Sequence, residues 1–292
     1  MRGNAAAHDM VAPGTLSAVL DLLAAEPGKW TPIAGGTELM VAHAAGRLTS
    51  GNLVSVWDIP DLRFVETTPE SIALGGGSTF RDLRTNETIA AEFPLLAEAS
   101  TWIGAIANQN RATLAGNIVN GSPAADSSPA LLVYDAEIEL VSVRGKRRVP
   151  YHAFHTGYKR SLLAPDELVL TVHLPRRFAA HCQYIRKVGT RRAMAISKVA
   201  LAGTALIRGG VVSEVRVAAA SLAPYPSRMR KAEAAIFGNG ISPETMHAAR
   251  RALLDEARPI DDIRSTAEYR RRVGANLLEE FLAELAKTGG SG

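Results

Sequence analysis

Two short stretches carry residues that could grip a phosphate. The first is Ile33-Ala34-Gly35-Gly36-Thr37-Glu38-Leu39, set between an extended run at 30–33 and good helix sequence at 37–45 that Gly46 closes. Where a strand turns into a helix, free amides and the positive end of the helix dipole receive phosphate oxygens. Paired glycines reach positive φ there and leave no side chain between amide and ligand. A plain turn uses the same pair, so this loop alone leaves both readings open. The second stretch runs Thr113-Leu114-Ala115-Gly116-Asn117-Ile118-Val119-Asn120-Gly121-Ser122-Pro123-Ala124-Ala125-Asp126. Its hydroxyls, amides and carboxylate offer donors to a diphosphate and acceptors to sugar hydroxyls. A ligand-free surface loop could share that composition, although apolar helices flank this one. Neither stretch fits G-x-G-x-x-G after a strand or G-x-x-x-x-G-K-[ST], so a Rossmann or P-loop site is not expected.

Other reactive residue types lack companions. His152 and His155 have H-x-x-H spacing, but no neighbouring carboxylate or thiolate completes a metal set, so they read as a loop pair. Cys182 is the sole cysteine, which excludes an internal disulfide and an iron–sulfur cluster held by this chain alone. His181-Cys182 reads as packing at a strand start, since no base for a nucleophile can be named. There is no carboxylate pair and no G-x-S-x-G turn. No residue is therefore given a catalytic or metal-binding role. Asp126 suits two compatible jobs, capping a helix from Ser127 or meeting a ligand. Lys198 suits solvation of a strand end as well as a ligand contact.

The elements that must position these loops follow from periodicity and punctuation. Leu16, Val19, Leu20 and Leu23 mark a first helix, ended by Pro27, whose stripe should pack on a sheet. Runs at 53–57 and 72–74 are of strand length; a second glycine turn follows at 75–77, and Thr79 to Asp82 forms a capping box. Residues 94–106 read as helix in two pieces around Gly104. Residues 108–126 are expected to be irregular, because Gly116, Gly121 and Pro123 interrupt them. A short helix at 129–134 and strands at 137–143 and 168–174 follow. Beyond Pro175 the texture changes to strands at 184–188, 199–207 and 211–219, the last two joined by Gly209-Gly210 as a tight hairpin. Helices at 227–237, 243–257 and 266–286 complete an α+β pattern.

At 292 residues, two domains are expected. Hydrophobic residues at 47% and charged residues at 21% argue against disorder and against a fibre. Lys and Arg number 33 against 29 Asp and Glu, dispersed in short runs, and aromatics are 5%. That excludes the basic, aromatic-studded face a nucleic acid needs. No apolar run approaches the roughly 18 residues of a membrane span, and residues 1–10 lack a leader's apolar core and a twin-arginine pair. A cytoplasmic protein without a membrane span is expected. The division is 1–177, with lobes at 1–58 and 59–177, then 178–287, and a flexible tail at 288–292.

The runs Ala34-Gly35-Gly36-Thr37-Glu38-Leu39 and Thr113-Leu114-Ala115-Gly116-Asn117-Ile118, followed by Ser122-Pro123, Asp126 and Asp-Glu-Leu-Val-Leu at 166–170, resemble the FAD-binding medium subunit of the xanthine dehydrogenase and carbon monoxide dehydrogenase family, the molybdenum hydroxylases. The resemblance spans nearly the whole chain. It implies a two-lobed α+β FAD-binding domain of the vanillyl-alcohol-oxidase (PCMH) type and a smaller α+β C-terminal domain of antiparallel sheet and helices. It implies that Ile33, Ala34, Gly35, Gly36, Thr37, Glu38 and Leu39 wrap the diphosphate, with Thr113, Gly116 and Asn117 opposite and Val119 beside them. Asp126 would accept from the adenosine ribose and Val169 would line the flavin or adenine pocket. Lys198 would stand near the flavin ring, where a cation stabilises the reduced form. Ile103 falls where some relatives place an aromatic over the ring. Ala115 stands where the family more often has a second glycine. The resemblance further implies an iron–sulfur subunit with 2Fe-2S clusters and a large molybdopterin subunit carrying the molybdenum cofactor, in a heterotrimer or a dimer of heterotrimers. Electrons would pass to NAD, oxygen or a quinone. A self-sufficient FAD oxidoreductase of this fold would need its own acid or base over the flavin, and none can be nominated. A cofactor-free adaptor would use the glycine loops only as turns.

Overall fold

The computed structural model describes residues 8–49, 51–191 and 194–289. After β1 (Asp9–Val11), the Thr15 hydroxyl accepts from the Ala18 amide and starts α1 (Leu16–Ala25). Val19, Leu20 and Leu23 recur at helical spacing, so one face of α1 is buried. β2 (Trp30–Ile33), α2 (Leu39–Ala44) and β3 (Asn52–Ser55) follow. β3 lies between β1 and β2, parallel to both. Parallel neighbours need crossovers, and α1 and α2 supply them. The buried face of α1 meets Val54 and Ile59 together with Leu168 and Leu170 of the second lobe, which joins the two. α2 starts two residues later than its helix-forming sequence predicts, because Thr37 and Glu38 are spent in the turn that Met40 closes by donating to the Gly36 carbonyl.

The second lobe opens with β4 (Val65–Thr67) and β5 (Ser71–Gly75). Thr79 and Asp82 form the reciprocal box at the start of α3 (Phe80–Thr85), as their spacing predicts. Then come α4 (Glu87–Glu92), α5 (Pro94–Thr101), α6 (Ile106–Gln109), α7 (Leu114–Asn120) and α8 (Ser127–Val133). Gly104, at φ +52, separates α5 from α6. The segment expected to be irregular is thus helical in two places. Thr113 caps α7 by accepting from the Gly116 amide at 3.1 Å, and Gly121 ends it at φ +60. A glycine in a capped first turn and another in the left-handed closing position interrupt nothing. β6 (Glu137–Ser142), β7 (Gly145–Pro150), α9 (Tyr151–Phe154), the small pair β8 (His155–Gly157) and β9 (Arg160–Ser161), and β10 (Leu168–Pro175) complete the lobe. The antiparallel order β4-β5-β10-β6-β7 puts β10 in the middle, against a core that includes Phe80, Phe93, Leu114 and Tyr134.

The C-terminal domain is the antiparallel sheet β11 (Cys182–Val188), β12 (Val199–Arg208), β13 (Val211–Ala220) and β14 (Ser227–Arg228), covered by α10 (Arg230–Ile236), α11 (Pro243–Glu256) and α12 (Ala267–Gly289). Gly209 and Gly210 both have positive φ, which a two-residue turn between β12 and β13 requires. The helix expected from residue 227 starts only at Arg230, because Ser227 and Arg228 pair with Ala219 and Ala218. α12 extends to Gly289, into the stretch read as a tail; residues 290–292 lie outside the described ones. α8 lies against β12 and β13, with Ala202 and Ala218 closing the core of the second lobe. Among the described residues, no helix is long and apolar enough to cross a membrane.

Candidate functional site

The first glycine loop touches the chain just ahead of the second, main chain against main chain. A Cβ added to Gly35 would lie 1.7 Å from the carbonyl oxygen of Arg111, two residues before the second loop opens. Arg111 Nε also donates to the Gly35 carbonyl at 3.1 Å. Gly36 stands at φ +73, where any other residue is strained. Among the described residues, no protein acceptor takes the amides of Gly36 or Thr37. Of the remaining positions in this loop, Ile33 is buried, Ala34 and Leu39 are half-buried, and Glu38 is exposed.

The second loop is held differently. Its amides at Leu114 and Ala115 donate to the carbonyls of Ser78 and Gly76, and those at Gly116 and Asn117 return to Thr113. It therefore offers side chains more than amides. The Thr113 hydroxyl is buried at the head of α7, and Asn117 Oδ1 accepts from Ser127, which leaves the Asn117 amide group to donate outward. Gly116 and Val119 are exposed. Gly76 is pressed against Val169, whose carbonyl oxygen would lie 2.3 Å from an added Cβ. The methyl of Ala115 faces Gly76, so the departure from a second glycine points into the fold and not across the exposed amides. The glycine turn at 75–77 thus supports the second loop, a role that its residue types alone do not reveal.

Beside the loops lies a cavity of about 830 Å3, closed by the C-terminal domain. Its size suits a ligand of several rings. Glu38, Ile103, Asn117 and Asp126 line it, and Ile196 and Arg270 face them from across the domain boundary. Asp126 stands at the head of α8 but makes no capping bond there, unlike the cap its position predicts. Its carboxylate instead takes Lys187 Nζ at 2.6 Å and the Ser197 hydroxyl. Burial pushes the Asp126 carboxyl above the usual carboxylate range, and Lys187 and Ser197 pull it back. Lys198 points elsewhere, its ammonium 5.0 Å from the Tyr269 ring centroid, and it is not among the residues lining the cavity. Val169 is buried, with its side chain in the core of the second lobe. Lys187 and Arg111 are thus brought to the site without any local sequence signal; their partners lie 61 and 76 residues away. His152 is exposed while His155 is buried against the rings of Tyr151 and Phe154.

Two glycine loops thus stand beside a cavity between two α+β domains, and comparison with known proteins gives the class. Residues 5–177 match the family described as "FAD binding domain in molybdopterin dehydrogenase", and residues 184–285 match "CO dehydrogenase flavoprotein C-terminal domain". The chain belongs to the family of FAD-binding medium subunits of xanthine dehydrogenases and carbon monoxide dehydrogenases. The xanthine dehydrogenase FAD-binding subunit of Escherichia coli O157:H7 is 29% identical over 278 residues, covering 94% of this chain and 95% of that protein. The carbon monoxide dehydrogenase medium chain of Hydrogenophaga pseudoflava is 27% identical over 258 residues, covering 86% of this chain and 87% of its own. Among solved structures, the carbon monoxide dehydrogenase from Hydrogenophaga pseudoflava lacking the Mo-pyranopterin moiety superposes with a TM-score of 0.90 at 26% identity, covering 94% and 95% of the two chains. Quinoline 2-oxidoreductase from Pseudomonas putida 86 shares the fold, with a TM-score of 0.90 at 21% identity, covering 99% of each chain.

The residues fit FAD. A diphosphate needs donors that no side chain screens, and Gly36 and Thr37 present them. The cavity next to the loops gives the rest of the cofactor a place between the two domains.

Proposed function

We propose that this chain holds FAD as the electron-relaying subunit of a molybdenum hydroxylase complex. The observation that carries the proposal is the contact of Gly35 with Arg111, which sets unpartnered amides of one loop beside the side-chain donors of the other. Residues 33–39 hold the diphosphate from one side, and Thr113, Gly116 and Asn117 hold it from the other. Val119 is exposed on α7 in the second loop, and Val169 backs the site from the core through its contact with Gly76. Asp126 accepts ribose hydroxyls through lone pairs that Lys187 and Ser197 leave over, since a carboxylate has about four such positions. Ile103 borders the ring, and Lys198 would reach that side only by leaving the Tyr269 ring. Bound FAD would supply reversible storage of two electrons. The protein's own part is to bind, orient and exclude water.

In this proposal an iron–sulfur subunit delivers electrons, and a large molybdopterin subunit oxidises the substrate. The assembly is a heterotrimer, single or doubled, and the electrons leave to an acceptor such as NAD. Similarity over both domains to subunits of xanthine and carbon monoxide dehydrogenases supports this arrangement over a lone oxidoreductase or an adaptor. The test is to purify the full chain and record its visible spectrum, then identify the released cofactor by chromatography. A flavin spectrum with FAD released is expected, and Gly36→Val should abolish it. A chain that neither carries FAD nor takes it up from solution would overturn the proposal.

A further inference from the structure

The Gly35–Gly36 peptide is the most freely rotating unit of the first loop, because a glycine stands on each side of it. In a trans peptide the carbonyl and the next amide point in opposite directions. Whatever holds the Gly35 carbonyl therefore decides where the Gly36 amide points. Arg111 Nε holds it, at 3.1 Å, and on the other side the Gly36 amide has no protein acceptor among the described residues.

We infer that Arg111 is a positioning residue for FAD, fixing the Gly35–Gly36 peptide so that the Gly36 amide faces the diphosphate. The inference rests on the proposed FAD site. Arg111 can do this because it is itself held in place. Its guanidinium lies 4.6 Å from the Trp57 ring centroid, and the guanidinium of Arg63 lies 4.0 Å from the same ring. Stacking on an indole suits a planar guanidinium and pre-orders a long side chain that would otherwise lose much freedom. Both arginines are exposed, and among the described residues neither has a carboxylate partner. Nothing competes with the Gly35 carbonyl for Arg111, and two uncompensated positive charges stand beside the loop that receives a dianion. The backbone carbonyl of the same residue abuts the Gly35 Cα, so one residue braces this peptide twice.

The test uses the full chain stripped of flavin, titrated with FAD, with amide hydrogen exchange and thermal melting followed alongside. Arg111→Ala should weaken FAD binding about tenfold, the value of one hydrogen bond from a charged donor. Exchange in the segment 33–39 should speed up, while the apoprotein melts within about 2 °C of wild type, as surface changes do. Trp57→Ala should act in the same direction and more weakly, and adding it to Arg111→Ala should cost little more, because it works through Arg111. Arg111→Lys, which keeps a donor and loses the flat stack, should fall between. FAD binding by Arg111→Ala within about twofold of wild type, below the worth of a net hydrogen bond, would refute the inference, as would a loss of affinity matched by a loss of melting temperature. If wild type binds FAD, Gly36→Val does not, and Arg111→Ala does, only this inference fails. If wild type takes up none, the FAD site itself fails and the inference with it.

Discussion

Lys187 Nζ meets Asp126 Oδ2 at 2.6 Å with both side chains nine-tenths buried, which joins β11 of one domain to the head of α8 in the other. The ammonium also donates to the Trp102 carbonyl at 3.2 Å. Removing one partner of such a pair leaves an uncompensated charge, so Lys187→Met should destabilise the chain by about 3–5 kcal/mol at neutral pH. Burial already raises the Asp126 carboxyl above its ordinary range. A carboxyl raised in the folded state favours folding below its unfolded value near pH 4, and that advantage fades as pH climbs through the raised one. Without Lys187 the carboxyl should rise further, so the deficit should shrink at acid pH. Adding Asp126→Asn should recover most of it. Urea denaturation at two pH values measures all three, and a loss under about 1 kcal/mol for Lys187→Met, the range of an exposed pair, would show the pair to be solvated.

His155 works with the opposite sign. It is buried, its Nδ1 has no partner, and burial holds its pKa below the ordinary imidazole value against the pull of a backbone bond with Arg160. The folded state therefore resists protonation that the unfolded state accepts near pH 6.5. Stability from this group is present above that value and is lost as pH falls through the lower folded one. His173 and His181 are lowered by burial too and should add to the effect. The melting temperature should fall between about pH 7 and pH 5. His155→Phe, packed by the rings of Tyr151 and Phe154, should be near neutral above pH 7 and should flatten the slope. An unchanged slope would mean that His155 titrates freely.

The bend at Gly35-Gly36 could be read from residue types because Gly36 occupies a conformation only glycine takes easily, and that need is written locally. The same holds for Thr79 with Asp82 and for Gly209 with Gly210. β1 left no such trace: three residues with exposed side chains carry no alternation, and its place is set by pairing with β3. β7 was not legible as a strand, because its charged residues Lys146 and Arg148 are matched only across the sheet, by Glu139, a pairing that needs the strands already aligned. α7 was hidden by Gly116, whose cost the Thr113 cap offsets. Lys187 and Arg111 could not be found locally at all, since each reaches its partner only after two distant segments have met.

Gly203 should tolerate nothing larger. It lies in β12 beneath α12, and a Cβ there would stand 2.7 Å from the Phe281 ring, which is fully buried and has no solvent side to turn to. Overpacking of this kind costs about 1–3 kcal/mol, so Gly203→Ala should lower stability by that amount. Phe281→Leu is destabilising alone because it empties part of the core. Together the two should cost less than their sum. Strict additivity in denaturation experiments would show that the methyl and the ring never meet.

Asp135 holds the two domains through charge. It sits at the end of α8 at φ +50, a conformation that aspartate and asparagine enter more readily than most residues. Its carboxylate takes Arg177 and Arg216 at 2.6 Å and Arg228 at 3.0 Å, the last two from β13 and β14. Asp135→Asn keeps the backbone and removes the charge, leaving the largely buried Arg216 and Arg228 with Glu214 and Glu233 as their remaining partners. The carboxylate is 29% exposed, so the loss should be about 1–3 kcal/mol, below that of a fully buried pair. Asp135→Ala should cost more, because alanine resists positive φ as well. The three arginines face one acceptor from two sides of the domain boundary, so the damage should appear as a loss of cooperativity. Denaturation of Asp135→Ala followed by the two domains' separate signals should split into two transitions, and a single sharp transition at wild-type stability would mean that apolar packing of α8 on β12 and β13 suffices without it.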